Sequence, residues 1–204
     1  MEAMLLGVRS LAIQADVRDQ TQVDAMVSLT LQEFGKIDGL INNAISGRQH
    51  GLLAEIENKE FQNMFDFGAI ATVNTIRAVR PSMHANGGGR IVNIVTELWN
   101  MGSGSWSAYL GGKGAMVGIS RALASELGPE GITVNMVAPG WMATENVDIT
   151  SEGSIKFGKS LPLRRHGSAR EIGNACVFFM SDLASYVTGT YLPVAGGRVT
   201  QMGA

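Results

Sequence analysis

Residues 108–118, AYLGGKGAMVG, place a phenol and an ammonium group four residues apart in a run of small residues. In a helix, Tyr109 and Lys113 lie one turn apart on the same face. A free phenol near pKa 10 is a poor base at neutral pH, and a cation beside it favours the phenolate. Such a pair can pass a proton to or from a reacting oxygen. It can equally be two side chains of a solvated helix, and the spacing alone leaves both readings open. Other polar residues follow apolar stretches of strand length: Asp16 and Val17, Asn42 to Ala44, Thr96, and Pro139, Gly140 and Thr144 in PGWMAT. Taken singly, each has a plain structural reading. Asp16 can be a charge at a helix start, Asn42 a partner for strand-end backbone, and Pro139–Gly140 a turn. His50, His84 and His166 are scattered without ligand spacing, so no metal site is expected.

The elements that must position these residues are legible as a pattern. Residues 10–15, 39–44, 90–95, 132–137 and 190–195 are short, apolar and rich in β-branched side chains, which predicts strands. Between them, helical periodicity covers 21–34, a long segment from a capping Asn58 toward Pro81 and NGGG, 105–127 up to Gly128–Pro129, and 169–181. Alternating strands and helices predict a single α/β domain with a parallel sheet covered on both faces. In such a sheet ligands bind outside the carboxyl ends of the strands. The polar residues named above gather on that edge. Residues 141–167 show no clear period, and their place after a strand end predicts a loop that covers the substrate.

Composition narrows the function. The chain has 204 residues, 45% of them hydrophobic and 17% charged, with a formal charge of -2. That balance gives no basic footprint for nucleic acid. The lone Cys176 excludes an intrachain disulfide and reads as core filler. The start lacks the pattern of a signal peptide, and no run reaches the roughly 18 apolar residues of a spanning helix. A cytoplasmic protein with no membrane partner is expected.

In order, Asp-Val, Asn-Asn-Ala, a hydroxyl residue, YxxxK, PGxxxT and a terminal GG run from residue 16 to residue 197. This ordered set resembles the short-chain dehydrogenase/reductase family, close to its 3-oxoacyl-(acyl carrier protein) reductases and glucose dehydrogenases. The resemblance implies a Rossmann-like, doubly wound fold and hydride transfer between NAD or NADP and a small carbonyl or alcohol substrate. It implies Tyr109 as general acid/base, Lys113 beside the phenolate and the nicotinamide ribose, and Thr96 bonding the substrate oxygen. Pro139, Gly140 and Thr144 would border the nicotinamide. Asp16 and Val17 would meet the adenine, and Asn42 and Ala44 would line the adenosine side. The family associates through helices matching 58–86 and 105–127, so a homodimer or homotetramer is expected.

The departures from the family pattern are equally specific. The sequence has no glycine-rich TGxxxGxG turn, the motif whose helix N-terminus holds the pyrophosphate. About fifty residues, the first βαβ portion, are expected to be missing from an N-terminally truncated domain. Weak or absent cofactor binding follows as an expectation. Gly68 stands where the family has an asparagine, Ile45 and Ala195 replace a glycine and an aspartate, and Thr96 replaces serine. An alternative reading is a catalytically impaired subunit that assembles with a full-length paralogue. Strand 10–15 would lack its usual neighbour, so it must slide beside 39–44, pair with another subunit, or stay irregular.

Overall fold

The computed structural model describes residues 6–47, 50–145 and 147–198. In chain order its elements are α1 (Gln20–Phe34), β1 (Gly39–Asn42), α2 (Asn58–Phe65), α3 (Ala71–Ala85), β2 (Gly89–Ile94), α4 (Leu98–Met101) and α5 (Ser107–Leu127). Then follow β3 (Ile132–Pro139), β4 (Met142–Ala143), α6 (Glu152–Ser160), β5 (Gly167–Ser168), α7 (Ala169–Met180) and β6 (Tyr191–Val194). The main sheet has the order β1-β2-β3-β6, and every pairing in it is parallel.

The two-residue period of the strands divides the core between the two faces. On one side Ile91, Ile132 and Val134 pack with Val27, Ile76, Val79, Met83 and Leu127 from α1, α3 and α5. On the other, Val92, Ile94 and Val137 pack with Cys176 and Phe179 of α7. Cys176 is therefore core filler in the structure as in the sequence. Burying each such Val, Ile or Phe side chain stabilises the fold by about 1.5–3 kcal/mol relative to leaving it in water. No helix among the described residues is long and apolar enough to cross a membrane.

Several expectations need correction. Residues 10–15 form no strand. Among the described residues β1 is an edge of the sheet, and residues 10–15 do not pair with its open side. Within this chain the segment therefore does not slide in beside 39–44. The long helix is capped by Glu57 rather than Asn58, in a capping box with Glu60. It runs past Pro81 to Ala85 and ends beside NGGG as expected, but a π turn at Asp66–Ile70 separates it into α2 and α3. Residues 141–167 are not one loop: β4, α6 and β5 form within them. Trp141, Phe157 and His166 pack together there, with Trp141 and Phe157 centroids 4.8 Å apart and His166 edge-on to Trp141 at 5.3 Å.

A buried polar chain fixes α5 on the sheet. The Thr75 hydroxyl donates to Asn42 Oδ1 at 2.9 Å, Asn42 Nδ2 donates to Asn93 Oδ1 at 2.9 Å, and Asn93 Nδ2 donates to Ser120 Oγ at 2.8 Å. Ser120 Oγ then donates to the Met116 carbonyl at 2.6 Å. Each bond crosses from one element to the next, α3 to β1 to β2 to α5, or closes within α5. A fully satisfied network of this kind specifies one arrangement of the helix that carries Tyr109 and Lys113.

Candidate active site

Thr96, just beyond the end of β2, and Tyr109 and Lys113 on α5 line one cavity of about 580 Å³. Pro139 and Gly140 at the end of β3 form another part of its wall, with Asn43, Trp106, Trp141 and Phe157. Thr96 is buried, and its carbonyl accepts a 2.7 Å hydrogen bond from the Tyr191 hydroxyl. The Tyr109 ring packs edge-on against Trp106 at 5.5 Å and against the small core of Ile56, Met64 and Ala108. Lys113 is 4% exposed, and its Nζ donates to the Ile94 carbonyl at 2.6 Å.

The electrostatics depart from the simple dyad. Burial lowers the Lys113 ammonium to about 8, because desolvation disfavours the charged form. Burial also raises the Tyr109 phenol; a hydrogen bond with Thr96 opposes this and the Glu97 charge adds to it. The phenol is thus held protonated at neutral pH rather than pulled down by Lys113. Tyr191 is pushed up to about 12, first by burial and then by Glu97.

A second cavity, of about 970 Å³, shares Asn43, Ile94, Pro139, Gly140 and Trp141 with the first and includes Thr144 and Ile41. The sequence-derived residues do not all meet here. Asn42 turns the other way, its amide engaged by Thr75 and Asn93, and its neighbour Asn43 faces both cavities. Ala44 is exposed and lines neither cavity. Asp16 and Val17 also lie outside both. Both Asp16 carboxylate oxygens accept from the Arg18 guanidinium, at 2.9 Å to Oδ1 and 2.6 Å to Oδ2, which lowers its pKa to about 2. The Asn74 amide holds this turn by donating to the Val17 and Arg18 carbonyls at 3.3 and 3.0 Å.

Glu97, which belongs to none of the sequence motifs, is the residue that most changes the site. It is 1% exposed and lines the cavity beside Thr96. Its Oε1 accepts from Arg198 Nη1 at 2.6 Å, and Arg198 lies over the Phe157 ring at 5.1 Å. Burial raises the Glu97 carboxyl while Arg198 opposes that shift. An acidic residue directly after Thr96 was a visible signal. Its partner, a hundred residues further on, was not.

Comparison with known proteins places this geometry. Residues 2–198 match the profile of the family described as Enoyl-(Acyl carrier protein) reductase. The chain is 34% identical over 192 residues to the 3-oxoacyl-(acyl-carrier-protein) reductase of Staphylococcus aureus, covering 94% of this chain and 78% of that protein. It is 38% identical to the dehydrogenase subunit BbsD of Thauera aromatica, covering 94% of this chain and 77% of that one. Among solved structures, levodione reductase superposes with a TM-score of 0.89 at 30% identity, covering 98% of this chain and 83% of that chain. A blue fluorescent protein from a metagenomic library, crystallised with NADPH, gives 0.87 at 34% identity, covering 96% and 78%. With its parallel sheet, the ordered residues along one sheet edge and this kinship, the chain belongs to the short-chain dehydrogenase/reductase family, among its 3-oxoacyl-(acyl carrier protein) reductase-like members.

Proposed function

We propose that the chain interconverts a small carbonyl compound and its alcohol with NAD or NADP, using Thr96, Tyr109 and Lys113. The observation that carries this reading is the meeting of those three side chains on one cavity that Pro139 and Gly140 also wall. When bound, the nicotinamide supplies or accepts the hydride. Thr96 holds the substrate oxygen, and Tyr109 gives it a proton in reduction or takes one in oxidation. Lys113 spends one donor on Ile94 and has two more for ribose hydroxyls. Trp141 and Phe157 shield the reacting atoms from water.

The cavity fits the nicotinamide end of the cofactor better than the adenosine end. Asp16 must leave or share its Arg18 partner to accept from an adenine, and the sequence offers no glycine-rich turn for the pyrophosphate. Each missing charge-assisted contact costs about 1.5–3 kcal/mol of affinity. The 204-residue chain should therefore bind NADH and NADPH only in the millimolar range, as calorimetric titration can measure. The catalytic reading is tested by following NADPH oxidation at several millimolar cofactor with a panel of small ketones and aldehydes. Turnover of at least one supports it, and none at all counts against it.

A further inference from the structure

Glu97 presents a feature that hydride transfer does not use. Its Oε1 is paired with Arg198, but Oε2 is buried and has no hydrogen-bond partner among the described residues. A buried carboxylate oxygen without a donor is costly, and such groups are normally satisfied. The oxygen belongs to a residue that lines the cavity next to Thr96, the residue proposed to hold the reacting oxygen. We propose that Glu97 is a specificity-determining residue whose Oε2, closed off from the cavity in the free chain, turns toward it when substrate binds and accepts a hydrogen bond from a hydroxyl group next to the substrate's reacting carbon. The site thus prefers α-hydroxy carbonyls, and the diols they give on reduction, over unsubstituted ketones. This rests on the catalytic reading above for where the reacting carbon sits.

The charges point to a neutral donor. Arg198 already balances Glu97, so a substrate ammonium would add an unbalanced charge, whereas a hydroxyl adds only the missing proton donor. Arg198 has five N–H donors in a planar fork, and a donor not used on Glu97 can serve the same hydroxyl oxygen. A hydroxyl therefore meets an acceptor and a donor at one place. A methyl group there would leave Oε2 unpaired, and sites built for a hydroxyl discriminate strongly against analogues that lack it.

Hydroxyacetone and butanone differ only in a hydroxyl or a methyl at this position. Saturation-transfer NMR on the full chain measures their binding without any turnover, and NADPH oxidation measures kcat/KM for each. The wild-type chain should favour hydroxyacetone by about tenfold or more in binding, and in kcat/KM where turnover occurs. In Glu97→Gln that ratio should fall to near one. If that variant fails to fold by circular dichroism, the neutral pair Glu97→Gln with Arg198→Gln takes its place. Equal wild-type binding of the two ketones overturns the proposal, as does a preference that survives the substitution. Selective binding without turnover would keep this proposal and sink the catalytic one.

Discussion

Gly68 and Gly112 meet backbone to backbone: a Cβ on Gly68 would lie 2.0 Å from the Gly112 carbonyl oxygen. A Cβ on Gly112 would in turn lie 2.2 Å from the Met64 carbonyl oxygen. The π turn at Asp66–Ile70 and helix α5 therefore approach more closely than any side chain permits. Gly112 directly precedes Lys113, so this contact sets the depth at which the proposed dyad sits. Gly68→Asn, which would install the residue the family usually has, cannot fit without moving one helix. Both Gly68→Ala and Gly68→Asn should lose about 1–3 kcal/mol of stability, read from urea unfolding. An unchanged midpoint in Gly68→Ala would show that the contact is slack.

This pair illustrates what the sequence could and could not convey. Thr96, Tyr109 and Lys113 were legible because their spacing is local and their order along the chain matches the order of strand ends. Asn42 and Asn43 were harder, because one residue of strand register sends a side chain to the opposite face. The alternation along β1 puts Ile41 and Asn43 toward the cleft and Asn42 into the network with Thr75 and Asn93. Residues 10–15 have strand composition, yet a strand also needs a neighbour, which composition cannot supply. The Glu97–Arg198 pair and the Phe157 wall depend on long-range packing that no local period encodes.

For the proposed proton donor, the decisive variant is Tyr109→Phe. The ring's contacts with Trp106, Met64 and Ala108 survive in phenylalanine, so folding should be unaffected. Losing the acid/base group should cost at least about a hundredfold in kcat. Because Tyr109 is held above its ordinary value, wild-type carbonyl reduction should be flat across neutral pH and alcohol oxidation should climb with pH. Retained turnover in the variant would remove Tyr109 from the mechanism.

Lys113 makes a prediction about stability. Its folded-state pKa, about 8, lies below the ordinary lysine value of 10.5. Between those values the unfolded chain binds more protons than the folded one, so stability rises with pH across that window. Below pH 8 the full penalty of burying the cation applies, about 3 kcal/mol, offset in part by the bond to Ile94. Lys113→Met removes the penalty and should be the more stable protein at pH 7. Its advantage should shrink as pH goes from 8 to 10.5, in paired urea titrations. A gap that stays constant with pH would show that Lys113 is not buried as a cation. A gain in stability with a loss of turnover is the trade expected of an active-site residue.

Assembly can be tested through glycines that the chain itself does not need. A Cβ on Gly114 would meet Trp99 at 2.7 Å, so that glycine serves the fold. A Cβ on Gly111 or Gly118 would meet nothing within 4 Å. Each glycine costs α5 roughly 0.5–1 kcal/mol relative to alanine, with no return inside one chain. Gly118 lies one helical turn from Ala122, which borders an open groove of about 830 Å³ between α3 and α5 that also includes Val73, Pro81 and Ile119. A groove with an apolar floor, flanked by Arg77, Arg80, Glu126 and Glu130, lies beside bare helix backbone and suits close approach of a second copy. The same face on both copies would form an isologous contact. The chain is therefore expected to be a homodimer or homotetramer through α2, α3 and α5. Gly118→Leu should strengthen the helix while blocking that approach, giving a monomer in light scattering with an equal or higher Tm. A wild-type chain that runs as a monomer at micromolar concentration, or a Gly118→Leu oligomer of unchanged size, would refute this mode of assembly.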